Sequence, residues 1–167
     1  KFGAEIVRFY LLTGITTYGD CAYKEDDLIN MYNSRLANNF GNLLNRTIHL
    51  ANSKEVEINN EQSVEKEFKK IVDNYVGEIE KLYEDFEISL AGEKIDELAD
   101  YGNKYITKEE PWTKEKEQVE EILNNLSYLL AKVIQLYNPI IPMSASKAIQ
   151  YLKTRETIIL FPKIENR

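Results

Sequence analysis

The sequence has few of the residues that form disulfide frameworks, metal centres and turns. Its 167 residues include one Cys, one His, seven Gly and four Pro. A single Cys (Cys21) excludes an internal disulfide, and one Cys with one His (His49) leaves too few ligands for a zinc site formed by this chain alone. The scarcity of Gly and Pro favours long helices.

Apolar runs long enough to span a bilayer are also lacking, and no signal peptide is visible. The sequence has no Gly-rich phosphate loop, no nucleophile elbow and no Glu-x-x-His pair for a di-iron bundle. It does not begin with Met, and Lys1 opens what resembles the lead-in to a helix. We therefore expect a fragment of a larger, cytoplasmic protein that makes no use of membranes.

The net charge of −7 argues against general affinity for nucleic acid, because phosphate binding depends on Lys and Arg. The charge is unevenly distributed. Residues 28–53 contain two Arg and no carboxylate, whereas residues 55–100 contain fifteen Asp or Glu and five Lys, a net of −10. An acidic chain with one carboxylate-free strip is compatible with a ligand that contacts only this strip, and equally with no nucleic acid at all.

Apolar residues recur every three or four positions over four long stretches, which predicts four long helices. Asp26 or Asp27 is expected to cap the first of them. Gly102 within the third helix predicts a close helix–helix contact, because Gly destabilises a helix interior by roughly 1 kcal/mol relative to Ala. The predicted helices cover about 26–50, 63–85, 88–106 and 114–137.

Shorter elements are predicted at both ends of the chain. Residues 4–12 and 143–152 are short helix candidates, residues 14–23 a loop, and residues 156–162 an extended tail that lies back on the body. The fold class is therefore all-α, an antiparallel helical bundle of four long helices plus short terminal helices. Such bundles carry many unrelated activities, so the fold alone does not define a function.

The polar face of the first helix consists of amides rather than the usual Glu and Lys. Asn is a mediocre helix former, so a row of Asn residues requires a reason. Each Asn side chain offers a donor and an acceptor suited to the edges of unpaired bases. The face comprises Asn30, Asn33, Ser34, Asn38, Asn42 and Asn45, with Arg35 and Arg46.

The single Trp stands where the helical pattern resumes after Pro111. Trp112 either covers the end of the core or offers a flat surface to an unpaired base, a stacking worth roughly 1–3 kcal/mol. An amide face near such a surface is suited to an RNA loop. A helical protein-interaction or structural module remains the alternative at this point.

Several segments then point to one family. The segment 36–46 (Leu-Ala-Asn-Asn-Phe-Gly-Asn-Leu-Leu-Asn-Arg) resembles the first-helix motif of the anticodon-binding domain of methionyl-tRNA synthetases. The segment 101–112, which ends in Glu-Pro-Trp, resembles a second motif of this family. Asn-Pro-Ile-Ile-Pro-Met at 138–143 and Leu-Phe-Pro-Lys-Ile-Glu at 160–165 match later landmarks in order, and 1–12 is similar to the segment after the Lys-Met-Ser-Lys-Ser loop.

The resemblance implies a class I synthetase that joins methionine to its tRNA with ATP and Mg²⁺. The catalytic domain that uses both would lie upstream, so no cofactor is expected in this fragment and it should be inactive alone. Residues 1–23 would end the stem-contact region, and residues 24–167 would form the anticodon-binding bundle. The implied partners are a methionine-accepting tRNA with a CAU anticodon and the upstream catalytic domain.

The resemblance also implies site residues. Trp112 and Pro111 match the family's Pro-Trp pair, whose Trp contacts the anticodon. We expect Trp112 to stack on an anticodon base while Asn30 and Asn38 form hydrogen bonds with base edges. The alternative within this class is the corresponding bundle of another class I synthetase, against which the Glu-Pro-Trp segment at 110–112 and the segment 160–165 argue.

The family also uses an Asn and an Arg on successive turns of the first helix. An alignment on Gly41 and Arg46 has Ser34 and Asn38 where the family has Asn and Arg, so the chain departs from the pattern there. Asn42 and Arg46 either replace these contacts or flank the site. The helix positions given by this alignment are Asn30, Ser34 and Asn38.

Overall fold

The structure, a computed structural model, describes residues 2–15, 22–57 and 64–165, and all regular secondary structure in these ranges is helical. A π-helical segment, Tyr32–Phe40, joins α2 to α3, and a 3₁₀ turn, Pro111–Thr113, separates α5 from α6. The predicted all-α class is confirmed. The helices are α1 (Ala4–Thr13), α2 (Glu25–Met31), α3 (Gly41–Ser53), α4 (Lys66–Glu84), α5 (Ile88–Glu109), α6 (Lys116–Tyr137) and α7 (Pro142–Thr154).

The first long helix runs from Glu25 to Ser53 without a break, but its middle is not α-helical. The π turn closes hydrogen bonds to the fifth residue, is rare, and is frequent at functional sites. Its apolar side is regular, because Tyr32, Leu36 and Phe40 are four residues apart and all buried. Spacings of three and four do not distinguish an α-helix from a short π segment, so the sequence did not predict it.

Two predicted helix ends differ from the structure. The N-cap of α2 is Lys24, and the three carboxylates at 25–27 occupy the first turn, where they interact favourably with the helix dipole instead of capping it. The second long helix begins at Lys66 rather than near Ser63, and Ser63 lies outside the described residues. Most of the predicted loop 14–23, Cys21 included, also lies outside them.

The core is centred on α6, in which residues 122–130 are all buried. The predicted return of the C-terminal tail onto the body is confirmed. Phe161 is buried with its ring centroid 5.6 Å from that of Phe40, and the Tyr32 hydroxyl donates to the carbonyl of Pro162 over 3.0 Å. Asn33 exchanges two hydrogen bonds with the backbone of Ile164, at 2.8 and 2.9 Å.

Helix α1 is fixed to the same body by polar contacts at two places. The Glu5 carboxylate accepts hydrogen bonds from the amides of Met143 and Ser144 at the start of α7, at 2.7 and 3.1 Å. Arg8 donates to the carbonyl of Pro139 over 2.8 Å. The division into 1–23 and 24–167 concerns the parts of a larger protein and stays a prediction.

The close contact predicted at Gly102 is present. A Cβ at this position would lie 2.9 Å from Leu43 Cδ2 and 3.1 Å from Leu129 Cδ2, so α5 approaches α3 and α6 closely here. We expect Gly102→Ala to destabilise the protein by about 1 kcal/mol, because overpacking exceeds the gain in helix propensity.

The matched control is Gly77→Ala in α4, where a Cβ would meet nothing within 4 Å. It should stabilise the protein by about 0.5–1 kcal/mol. Urea unfolding of both variants measures the two effects, and equal stabilisation by both would show that α5 is not tightly packed at Gly102.

Candidate functional site

The turn that carries Trp112 presents its side chain to solvent. Helix α5 ends at Glu109, and Glu110 then adopts the left-handed region, with φ 45° and ψ 53°. This reverses the chain direction before Pro111, which is buried at the start of the 3₁₀ turn. Trp112 is 57% exposed, so its side chain is accessible to a ligand in solution.

Hydrogen bonds from three sides fix this turn. The Thr113 amide and hydroxyl both donate to the carbonyl of Glu110, at 2.9 and 2.8 Å. Lys54, which follows α3, donates to the carbonyl of Lys114 over 2.9 Å, and the Lys114 ammonium pairs with Glu109 at 3.0 Å. The backbone that carries Trp112 is therefore held between the ends of α3 and α5.

A groove of about 520 Å³ lies beside Trp112, between α3 and the end of α5. Two of its side chains, Arg46 and Lys54, are cationic, and none of the described residues that line it carries a carboxylate. Such a groove accepts a flat ring on the indole and an anionic group near the two cations. The lining residues are Arg46, His49, Leu50, Ser53, Lys54, Ile106, Pro111 and Trp112.

Side chains of α5 orient the guanidinium of Arg46. It donates to the carbonyl of Asn103 over 3.2 Å and to the Thr107 hydroxyl over 3.2 Å. Asn42, one turn earlier on α3, donates to the side-chain oxygen of the same Asn103 over 3.0 Å. Partial burial lowers the pKa of Arg46 from its ordinary value, but a guanidinium remains charged.

The earlier amides of this helix lie elsewhere. Ser34, Asn38 and Asn42 line a second, open depression whose other wall is α5. That wall is acidic, because Glu93, Asp96, Glu97 and Asp100 contribute to it. Three of these carboxylates are ion-paired, Asp96 with Arg35, Glu97 with Lys94 and Asp100 with Lys104.

Asn30 and Asn38 do not line the groove beside Trp112. The groove beside Trp112 is bordered by Arg46, whereas Asn30 is exposed near the end of α2. Asn38 is eight residues before Arg46, which corresponds to about 12 Å along a helix. Residues on one face of a helix can lie at different positions along its axis, and this axial position decides which of them are near Trp112.

Several polar residues of the first helix have structural roles that the sequence did not reveal. Asn33 holds the C-terminal tail, as described above, and Asn39 donates to the carbonyl of Asp96 over 2.9 Å. Arg35 forms an ion pair with the carboxylate of Asp96 and donates to the carbonyl of Thr13 over 3.0 Å. Part of the amide row thus satisfies backbone groups of neighbouring segments rather than a ligand.

Asp96 lies between two elements of the bundle. Its carboxylate accepts hydrogen bonds from Arg35 and from the Tyr137 hydroxyl of α6. Burial raises the pKa of Asp96 to about 6, although Arg35 opposes this rise. Burial, reinforced by Asp96, also raises the pKa of Tyr137, so its hydroxyl remains a proton donor.

His49 and Lys54 border the groove, and the sequence did not indicate either of them as a site residue. His49 follows Arg46 by three residues, a helical spacing that places both on one side of α3. The spacing of three residues was the only sequence signal for His49. It indicates a site residue only after the structure has shown that Arg46 and Trp112 line the same groove. Lys54 lies just after α3 ends, where periodicity predicts no orientation.

The structure contains no group of three or more His, Cys, Asp or Glu side chains arranged to bind a metal ion, within the ranges it describes. None of the helices in those ranges is both long and apolar enough to cross a membrane. The candidate site is thus a largely apolar groove with two cations, beside one exposed indole.

Comparison with known families assigns a class to this fold and site. Residues 65–166 match the family described as "Anticodon-binding domain of tRNA ligase". This match covers more than half of the chain, which therefore belongs to the anticodon-binding domains of tRNA ligases. Residues 1–48 match a second family, "tRNA synthetases class I (M)".

The similar proteins belong to one branch of this class. The chain is 30% identical to the methionine–tRNA ligase of Ureaplasma parvum, over 95% of the chain and 32% of that protein. It is 33% identical to the methionine–tRNA ligase of Fusobacterium nucleatum, over 88% of the chain and 24% of that protein. The resemblance to methionyl-tRNA synthetases is confirmed, and the chain spans about a quarter to a third of the length of these relatives.

A solved structure has the same fold. The apo form of Mycobacterium tuberculosis methionyl-tRNA synthetase matches 98% of this chain and 39% of its own, with a TM-score of 0.81. The sequence identity is 18%, so this likeness supports the helical architecture alone.

Proposed function

We propose that this chain binds the anticodon loop of a methionine-accepting tRNA, with CAU as the anticodon, as part of a methionine–tRNA ligase. The observation that carries the site assignment is the position of Trp112, exposed on a fixed turn beside Arg46 in a groove without carboxylates. Single-stranded RNA loops are recognised by stacking on such aromatic rings together with hydrogen bonds to base edges.

The roles in this proposal follow from the contacts. Trp112 stacks on an unpaired base of the loop. Arg46, oriented by Asn103 and Thr107, donates to a base edge or to the phosphate beside that base. Asn42 donates to the same Asn103 and so acts on Arg46 only indirectly. This assignment favours Arg46, which lines the groove beside Trp112, over Asn30, Ser34, Asn38 and Asn42, which do not line it.

The remaining parts of the proposal concern the larger protein. ATP and Mg²⁺ are used by a catalytic domain outside this bundle, which itself needs no cofactor. The bundle selects the tRNA, while the catalytic domain joins methionine to its acceptor end. The reaction takes place in the cytoplasm.

The lone Trp provides a direct test. We expect the emission of Trp112 to change saturably when the chain is titrated with an RNA stem-loop that carries CAU in its loop. Stem-loops with other anticodons should require at least tenfold higher concentration, since one mismatched hydrogen-bonding contact costs about 1.4 kcal/mol or more.

Added salt should weaken this binding only moderately, because two cations in the groove neutralise few phosphates. No change in emission at low salt would contradict RNA binding and favour a protein-interaction module. An equal response to every anticodon would contradict the specificity that we propose.

A further inference from the structure

A second groove of about 350 Å³ lies on the other side of α3, between this helix and the C-terminal tail. Arg46 and His49 border both this tail groove and the groove beside Trp112. The two grooves are therefore neighbours separated by one ridge of α3. The tail groove is lined by Asn45, Arg46, His49, Thr157 and Ile159.

The tail side of this groove is fixed at both ends. Upstream, the carbonyl of Arg155 accepts a hydrogen bond from Asn52 over 3.0 Å, and its guanidinium donates to the carbonyl of Val56 over 3.2 Å. Downstream, Phe161 is buried in the core. Ile159 lies between these anchors and is nevertheless 65% exposed.

A single exposed apolar side chain is ordinary, but Ile159 borders a groove opposite an exposed imidazole. The aliphatic side chain of Ile159 and the imidazole ring of His49 can each pack against one face of the same base. Asn45 adds a donor and an acceptor for a base edge. The described residues that line this groove carry no carboxylate, in contrast to the acidic depression between the first helix and α5.

We propose that the tail groove holds a second unpaired nucleotide of the same RNA loop, with its base between His49 and Ile159. This inference rests on the proposed function, in which the first base stacks on Trp112. Arg46 borders both grooves. Its guanidinium can therefore pair with the phosphate that links the nucleotide in one groove to the nucleotide in the other.

The tail groove thus makes His49 and Ile159 contact residues for one base, and Trp112 the contact residue for another. This separation is testable with labelled RNA stem-loops in which each anticodon nucleotide in turn lacks its base. Binding is measured by fluorescence anisotropy with the full 167-residue chain and its His49→Ala, Ile159→Ser and Trp112→Ala variants. The control is Ile158→Ser, which alters an exposed neighbour that lines neither groove.

With the intact CAU loop we expect His49→Ala and Ile159→Ser to weaken binding about threefold to tenfold, and Trp112→Ala about fivefold or more. Ile158→Ser should have no effect. The losses at His49 and Ile159 should vanish when one particular base is removed. The loss at Trp112 should vanish when a different base is removed.

The alternatives are distinguishable from one another. If all three losses vanish at the same removed base, a single nucleotide occupies the whole surface and the inference is wrong. If Trp112→Ala weakens binding while His49→Ala and Ile159→Ser do not, the inference fails and the proposed function stands. If the chain binds no stem-loop at all, the proposed function fails and the inference fails with it.

Discussion

Replacing Arg35 by Met is expected to lower the free energy of unfolding by about 3–5 kcal/mol near neutral pH, because it leaves a buried carboxylate without its cation. Arg35 and Asp96 are only 16% and 17% exposed, so neither charge is well solvated by water. The Arg35 guanidinium also lies 5.2 Å from the centre of the Phe9 ring and donates to the last residue of α1. Its loss weakens the attachment of α1 as well as the ion pair.

The neighbourhood of this ion pair is tightly packed. A Cβ at Gly92 would lie 2.8 Å from Arg35 Nη2 and 2.7 Å from Thr13 Cγ2. Thr13, Gly92 and Arg35 are therefore in close contact where α1 meets α5. In the Arg35→Met variant, the Asp96 carboxylate would keep its hydrogen bond from the Tyr137 hydroxyl and lose the one from Arg35.

The pH dependence of this loss has a definite sign. Burial raises the pKa of Asp96 in the folded protein to about 6, above its value in an unfolded chain. The stability that Asp96 contributes through this raised pKa is therefore fully present below about pH 4, and it is lost as the pH rises through 6. Removing Arg35 raises this pKa further, so the cost of Arg35→Met should be constant below about pH 5 and should grow as the pH rises above about 6, where only the folded wild type has lost the Asp96 proton.

Urea unfolding at acidic and neutral pH measures both effects. The double variant Arg35→Met with Asp96→Leu should recover much of the stability at neutral pH, since no charge is then left buried. Lys94→Met is the control, because its ion pair with Glu97 lies on the surface and contributes little. A cost for Arg35→Met that is the same at every pH would show that Asp96 does not carry the effect.

Arg35 also shows where sequence reasoning reached its limit. The 3.6-residue period correctly assigns buried residues such as Leu36 to one side of the helix. It assigns Arg35 to the polar side but does not reveal that Asp96, 61 residues away, meets it there. Partners across a bundle depend on the packing of helices, and a single sequence does not encode them as a local pattern.

The fold was predictable because its determinants are local. An all-α bundle follows from three local features of the sequence. Gly and Pro are few, four stretches have apolar residues at the helical spacing, and Pro142 stands in the first turn of α7. The tail was also predictable, since Phe161 continues an apolar segment after the last helix. The π segment was not, because it has the same apolar spacing as an α-helix.

The candidate site was partly predictable for the same reason. The position of Trp112 directly after Pro111 is a local signal, and it indicated a candidate site residue. The exposure of Trp112 agrees with a binding role. The height of each Asn along the first helix relative to Trp112 depends on how α3 and α5 pack. The sequence therefore offered Asn30, Asn38 and Arg46 as candidates on one helix, and the structure shows that Arg46 is the one that borders the groove beside Trp112.

Replacing Arg46 by Ala is expected to weaken binding of a CAU stem-loop about tenfold to a hundredfold, because hydrogen bonds from a charged donor contribute roughly 1.5–3 kcal/mol each. Arg46 borders both grooves, so its loss affects both nucleotides of the proposed path. Its effect on folding should be small in comparison, since its partners Asn103 and Thr107 lie near the surface and can bind water. Unfolding by urea checks this second expectation.

Asn38→Ala provides the matched control on the same helix, because Asn38 is exposed and lines only the acidic depression. We expect it to change RNA binding by less than about twofold. Arg46→Lys keeps the charge but loses the planar fork held by Asn103 and Thr107, and it should recover only part of the affinity. If Asn38→Ala were as harmful as Arg46→Ala, the RNA would cross the acidic depression, and the path over α3 towards the tail would be wrong.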